Sequence, residues 1–199
     1  MSYTKEEQPI GAAKIGKVEE VRDLIREKAN IHTCGDEALR EASENGRLAI
    51  VKLLLERGAD VHACEDNALR WASYNGHLGV VKLLLENGAD VHADEDGALR
   101  LASYNGQLEI VKLLLEHGAD VHTRKDEALK SASVRGYVEI AKLLREHKVL
   151  EKNRIAKEEN PSLLEQKESE IETKPSKEPE ILLPLFALVS LVKACWEKT

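Results

Sequence analysis

Histidine recurs at His32, His62, His92 and His122, a constant thirty residues apart. Four imidazoles in register raise the question of a metal, since imidazole is a common zinc ligand. Zinc ligands sit about 2 Å from the ion, so donor nitrogens must come within about 4 Å of one another. Helices packed side by side lie roughly 8–10 Å apart. One imidazole per helix pair cannot meet that demand, and each His is expected to bond connector backbone instead. Cys34 and Cys64 are also one period apart. A disulfide needs Cα atoms within about 7 Å, so these read as solvent-facing thiols. With Cys195 the count is odd and scattered, which points to a reducing compartment. There is no nucleophile elbow, phosphate-binding loop, HExxH or CxxC. No catalytic residue, metal or cofactor is expected, and the protein is read as a non-enzyme.

A second ladder is basic: Arg40, Arg70, Arg100 and Lys130. It could line a groove for an acidic partner. It could equally pair within the chain with acids of the neighbouring repeat, such as Glu37, Asp66 or Asp96, and that reading is favoured. The formal net charge of −7 argues against nucleic acid as a partner, which would need a clustered basic face.

These ladders exist because the chain repeats itself. DEALREASENGRLAIVKLLLERGADVHACE from 36, DNALRWASYNGHLGVVKLLLENGADVHADE from 66 and DGALRLASYNGQLEIVKLLLEHGADVHTRK from 96 align without gaps. A fourth full-register copy starts at 126, and a degenerate one covers 6–35. The chain thus holds five repeats, at 6–35, 36–65, 66–95, 96–125 and 126–149. Each reads as helix, turn, helix, connector. Asp36, Asp66, Asp96 and Asp126 precede the first helix and are read as N-caps. Asn-Gly or Arg-Gly pairs end it, and Gly58, Gly88 and Gly118 end the second helix. Ala, Leu and Ile at helical spacing give each pair an apolar face that only a neighbour can bury, which predicts an all-α helical solenoid. The end copies carry polar replacements: Glu20 and Asp23 stand where the second repeat has Ile50 and Leu53, and Ala141 and Arg145 where the fourth has Val111 and Leu115. Lys28 and Lys148 stand at the Gly58 position.

GHLGVVKLLLENGADVH resembles the ankyrin repeat: the turn Gly76, the run Val80–Leu85 and the signature Gly88-Ala89-Asp90-Val91 all match. The resemblance covers about 6–149. It implies paired helices and a non-catalytic protein-binding role, with contacts on exposed first-helix positions and hairpin tips. The chain departs from the family where a Thr-Pro-Leu-His motif would open the first helix. Here Ala98, Leu99 and Arg100 stand for its last three residues, and about three residues are missing upstream. The hairpin finger should be short or absent, and Asp caps should replace the usual Thr–His bonds. Thirty-residue repeats of this type look most like those of giant DNA viruses, which places the protein in the cytoplasm, that of a host cell if viral or from an intracellular bacterium. With contacts moved to the helix face, the expected partner-binding residues are Arg70, Trp71, Tyr74, Arg100, Leu101 and Tyr104. Trp71 and Leu101 could instead pack between repeats and leave only the tyrosines outside. The protein is expected to be a monomer that binds another protein.

Beyond the repeats, 150–180 is a Glu/Lys-rich linker whose composition cannot bury a core. Residues 181–199, ILLPLFALVSLVKACWEKT, read as a short apolar C-terminal helix. From Pro184 about fourteen residues would span about 21 Å, less than the roughly 30 Å of a bilayer core, which argues against a membrane span. Ser190, Lys193 and Glu197 form one narrow polar stripe, as in a helix buried against protein. The resemblance offers an alternative function: an adaptor whose C-terminal helix recruits ubiquitin-ligase machinery in F-box-like fashion, or a membrane, while the repeats select a target.

Overall fold

The computed structural model describes residues 8–159, with residues 33–35 and 155–159 described in backbone only. The expected C-terminal helix at 181–199 lies outside the described residues. Those that are described form ten helices and no strand. They are α1 (Gln8–Ile15), α2 (Val18–Arg26), α3 (Thr33–Glu44), α4 (Leu48–Glu56), α5 (Ala63–Tyr74), α6 (Leu78–Glu86), α7 (Ala93–Tyr104), α8 (Leu108–Glu116), α9 (Thr123–Val134) and α10 (Val138–Glu159). Within residues 1–151 they make two layers. First helices α1, α3, α5, α7 and α9 stack in one, and α2, α4, α6 and α8 in the other. The all-helical solenoid expected from the repeats is what the chain builds.

Small residues set the inner layer. Ala68 and Ala72 bracket Leu69, and Ala98 and Ala102 bracket Leu99; all six are buried. Alanine lets first helices approach closely, while Leu fills the gap behind them. The second helices contribute Val80, Val81 and Leu84, then Ile110, Val111 and Leu114, and the connectors add Ala89, Val91, Ala119 and Val121. One continuous core results, and no repeat owns it. At the N-terminal end Glu20 and Asp23 are exposed, as is Arg145 near the other end, so these replacements turn polar faces outward. Ala141 instead stays buried.

The two lysines at the glycine position behave differently. Lys28 adopts φ 59°, the left-handed geometry of Gly58, Gly88 and Gly118, and α2 stops. Lys148 does not, and α10 runs through it to Glu159. With no left-handed residue to terminate it, the helix enters ten residues of the stretch read as linker.

The connectors correct the expected Asp caps. In α5 the residues Cys64, Glu65 and Asp66 have φ of 54°, 59° and 52°. Asp94-Glu95-Asp96 and Arg124-Lys125-Asp126 repeat this. Each is a three-residue left-handed turn, and the right-handed helix starts only after the Asp. These carboxylates do not cap the following helix; they face backwards onto the His four residues earlier. Such a turn is shorter than a hairpin finger and takes its place. Left-handed geometry costs an L-residue about 1–2 kcal/mol, so the turn persists only because its surroundings fix it.

Two stability measurements test this account. Glu65→Gly, which removes Cβ at a left-handed position, should raise stability by up to about 1 kcal/mol; a loss would contradict the turn. Gly106→Ala would put a Cβ 2.6 Å from the Tyr137 ring at φ +77°, whereas at Gly88 nothing lies within 4 Å. Denaturant titration should show Gly106→Ala costing about 2–4 kcal/mol and Gly88→Ala about 1 kcal/mol.

Candidate interaction surface

Four His–Asp pairs clamp the connectors. His32, His62, His92 and His122 hydrogen-bond through Nδ1 to Asp36, Asp66, Asp96 and Asp126, at 2.9, 3.3, 3.1 and 3.2 Å. The rings therefore bind carboxylates, not the connector backbone expected from sequence. Asp66 and Asp96 also reach the next connector: the amides of Asp90 and Asp120 donate to their Oδ1 atoms at 2.9 and 2.8 Å. Asp96 is 2 % exposed, and burial pushes its carboxyl pKa up, against the opposing pull of the Asp120 amide and His92. A raised carboxyl pKa means this group adds stability only at low pH, and the contribution is lost as pH rises from about 4.

The basic ladder is largely absorbed within the chain: Glu37 is a partner as expected, whereas Asp94 is found in place of Asp66 and Asp96. Arg40 pairs with Glu37, Glu41 and Glu44 on its own helix. Arg70 donates to Asp94 Oδ2 at 2.6 Å and to Asn67 at 3.2 Å. Arg100 pairs with Glu127 at 3.0 Å and Asp94 at 3.1 Å, and donates to the carbonyls of Asp94 and Glu95 at 2.9 and 3.1 Å. It is 9 % exposed. Its expected place on the accessible face is therefore corrected: the side chain is consumed by the stack. Asp94 gathers Arg70, Arg100 and, at 3.6 Å, Arg124. Burial would raise its pKa, but the Arg70 bond and the charges of all three arginines outweigh it and hold the carboxyl below its ordinary value.

Among the described residues one group brings three potential metal donors together: Asp120, His122 and Glu151, within 4.8 Å of one another. His122 Nε2 lies 3.9 Å from Glu151. Its Nδ1 partner Asp126 is already held by Lys148 at 2.7 Å, whose bond, against burial and aided by His122, lowers the Asp126 pKa. The geometry is that of an ion-pair network closing the fifth repeat.

What remains outward is aromatic. Tyr74 and Tyr104, one repeat apart, stack with centroids 6.4 Å apart and planes 20° from parallel. Trp71 meets Tyr74 edge-on at 5.7 Å. Tyr104 is 42 % exposed, while Trp71, Tyr74, Leu101 and Arg70 are half-buried. The next position in the row is Val134, 87 % exposed. The stack is closed by a residue that sequence reasoning missed: the Arg135 guanidinium lies over the Tyr104 ring, 3.9 Å from its centroid. A signal existed. Arg135 occupies the register of Asn45, Asn75 and Asn105. Asn75 and Asn105 bond back to the Glu44 and Tyr74 carbonyls of the preceding repeat, at 3.1 and 2.7 Å; Arg135 stacks instead.

Among the described residues no helix is long and apolar enough to cross a membrane. A family model of ankyrin repeats, in three copies, matches residues 10–95 and 92–155. No curated protein matches the chain.

Because the depressed Asp94 pKa favours its ionised form, its ion pairs contribute in full above about pH 4 and fall away as pH drops through the lowered folded value. Asp94→Ala should cost about 1.5–3 kcal/mol at pH 7, measured by urea unfolding. The gap from the parent should narrow below about pH 4; a gap that holds constant with pH would contradict the role of Asp94 as the arginine hub.

Proposed function

The chain belongs to the ankyrin-repeat family, whose repeats are generally protein–protein interaction modules, and from that premise we propose that it is a non-catalytic scaffold binding a protein partner through the first-helix face of its central repeats. The contact residues are Trp71, Tyr74, Leu101 and Tyr104, with Arg70 behind them. We place the repeat domain at 6–149, its thirty-residue repeats joined by turns too short to form a finger, which leaves the helix face as the place for contact.

The observation that supports this reading most directly is the tyrosine pair. Tyr74 and Tyr104 stack across a repeat boundary although the core beneath is already filled by alanine, leucine and valine. Large aromatics held rigid at a surface carry much of the binding energy of protein interfaces, because they bury wide area at small entropic cost.

The double variant Tyr74→Ala, Tyr104→Ala tests it. Losing the ring–ring contact of this pair, one tyrosine exposed and one half-buried, should lower stability by about 1.5 kcal/mol. Proteins captured from a cell lysate by the intact chain should no longer be recovered with the double variant; undiminished recovery would refute the reading.

A further inference from the structure

Arg135 differs from the other arginines of this layer. Arg40, Arg70, Arg100 and Arg124 are each held by carboxylates of the chain itself. Among the described residues no carboxylate forms an ion pair with Arg135; its contact is with the Tyr104 ring. The chain as a whole is acidic, with 36 acidic residues and a net charge of −7.

The guanidinium carbon of Arg135 sits over the Tyr104 ring, 3.9 Å from its centroid. Its five N–H donors lie in one plane as a fork. Among the described residues no carboxylate occupies that fork. The side chain is exposed yet held over the Tyr104 ring, so part of the rotamer entropy that binding would otherwise cost has already been lost. Beside it stand Val134, 87 % exposed, Val138, 67 % exposed, and Tyr104. An oriented cation next to apolar surface is complementary to an anion next to an apolar group.

We propose that the partner segment recognised by this face presents a single Asp or Glu beside an apolar or aromatic side chain, the carboxylate pairing with the Arg135 fork while the apolar group rests on Tyr104 and Val134. The planar fork of guanidinium suits a carboxylate in two-point contact. One acid is specified, and not a run, because the overall negative charge of the chain repels a strongly acidic segment. This rests on the reading of the first-helix face as the interface and supplies its chemistry.

The probe is a random twelve-residue peptide library displayed on phage, selected against the full chain; enriched peptides are then synthesised and their affinities measured by fluorescence polarisation. Expected are peptides with one Asp or Glu within about three positions of an apolar or aromatic residue, bound at least tenfold more weakly by Arg135→Gln and by Tyr74→Ala, Tyr104→Ala. Lys82→Gln, which removes an exposed charge on α6, should bind as the parent does. Peptides that are purely apolar, basic or poly-acidic, or that bind Arg135→Gln as well as the parent while losing affinity for the tyrosine double variant, would overturn the acidic–apolar assignment and leave the face as the interface. No enrichment, or peptides indifferent to both variants, would overturn the face together with its chemistry.

Discussion

Each central repeat of this chain depends on a carboxylate that faces back into the stack instead of capping the helix after it. Asp66 and Asp96 are buried, each bonded to the histidine at the start of its own connector and to the backbone amide that opens the next one. A helix pair that cannot bury its own apolar face must be fixed in register against its neighbour, and hydrophobic contact alone is non-directional. The Asp bond supplies the direction. It also pins the left-handed turn that brings it there, so a locally unfavourable backbone and a long-range bond hold each other in place.

That arrangement decides where the charges go. With Asp96 turned inward, Asp94 at the start of the same turn is left facing Arg70 and Arg100 of the first helices and Arg124 of the next turn, and it gathers all three. Arg70 and Arg100 of the basic ladder are thereby drawn into the stack, and the outer face of the central repeats is left to aromatic side chains. The exception is in the fifth repeat, where Arg135 stands in place of the asparagine that in the third and fourth tethers one repeat to the last. Losing that tether frees the position for a different contact, and the Tyr104 ring is the surface it meets.

How much of this was legible in sequence depends on which interactions are local. The helix pairs, the alanine-bracketed leucines and the glycines closing the helices could be read because periodicity and helix-end chemistry act within a few residues. So could the pairing of the arginine ladder, though not its partner: choosing Asp94 over Asp66 or Asp96 requires knowing that the turn is left-handed. Nothing in Cys64-Glu65-Asp66 or Arg124-Lys125-Asp126 announces that, since none is glycine and local propensity argues against it. The recurring His-x-x-x-Asp spacing was visible in every connector but reads as a plain helical i,i+4 pair unless the backbone is in view. Of the six positions expected on the binding face, Arg100 was misplaced because its long side chain reaches inward, while Tyr74 and Tyr104 lie together as their shared register requires.

In a repeated chain, a difference at one register is informative only against the behaviour of that register elsewhere. At the second-helix end glycine closes α4, α6 and α8; lysine at the same place closes α2 by adopting the glycine conformation and, at 148, fails to close α10, which runs on to Glu159. Residue type alone would have predicted one outcome for both lysines. The downstream chain makes the difference. After Lys28 it must turn at once into the connector of the second repeat, whose Ile31 is buried in the core, so tertiary packing forces the left-handed residue. After Lys148 no further repeat demands it, and the helix continues at no conformational cost. The same logic separates the two kinds of variation on the binding layer. Asn75 and Asn105 are alike because each ties its repeat back to the one before, whereas Arg135, in the last repeat, meets the preceding repeat through the Tyr104 ring instead.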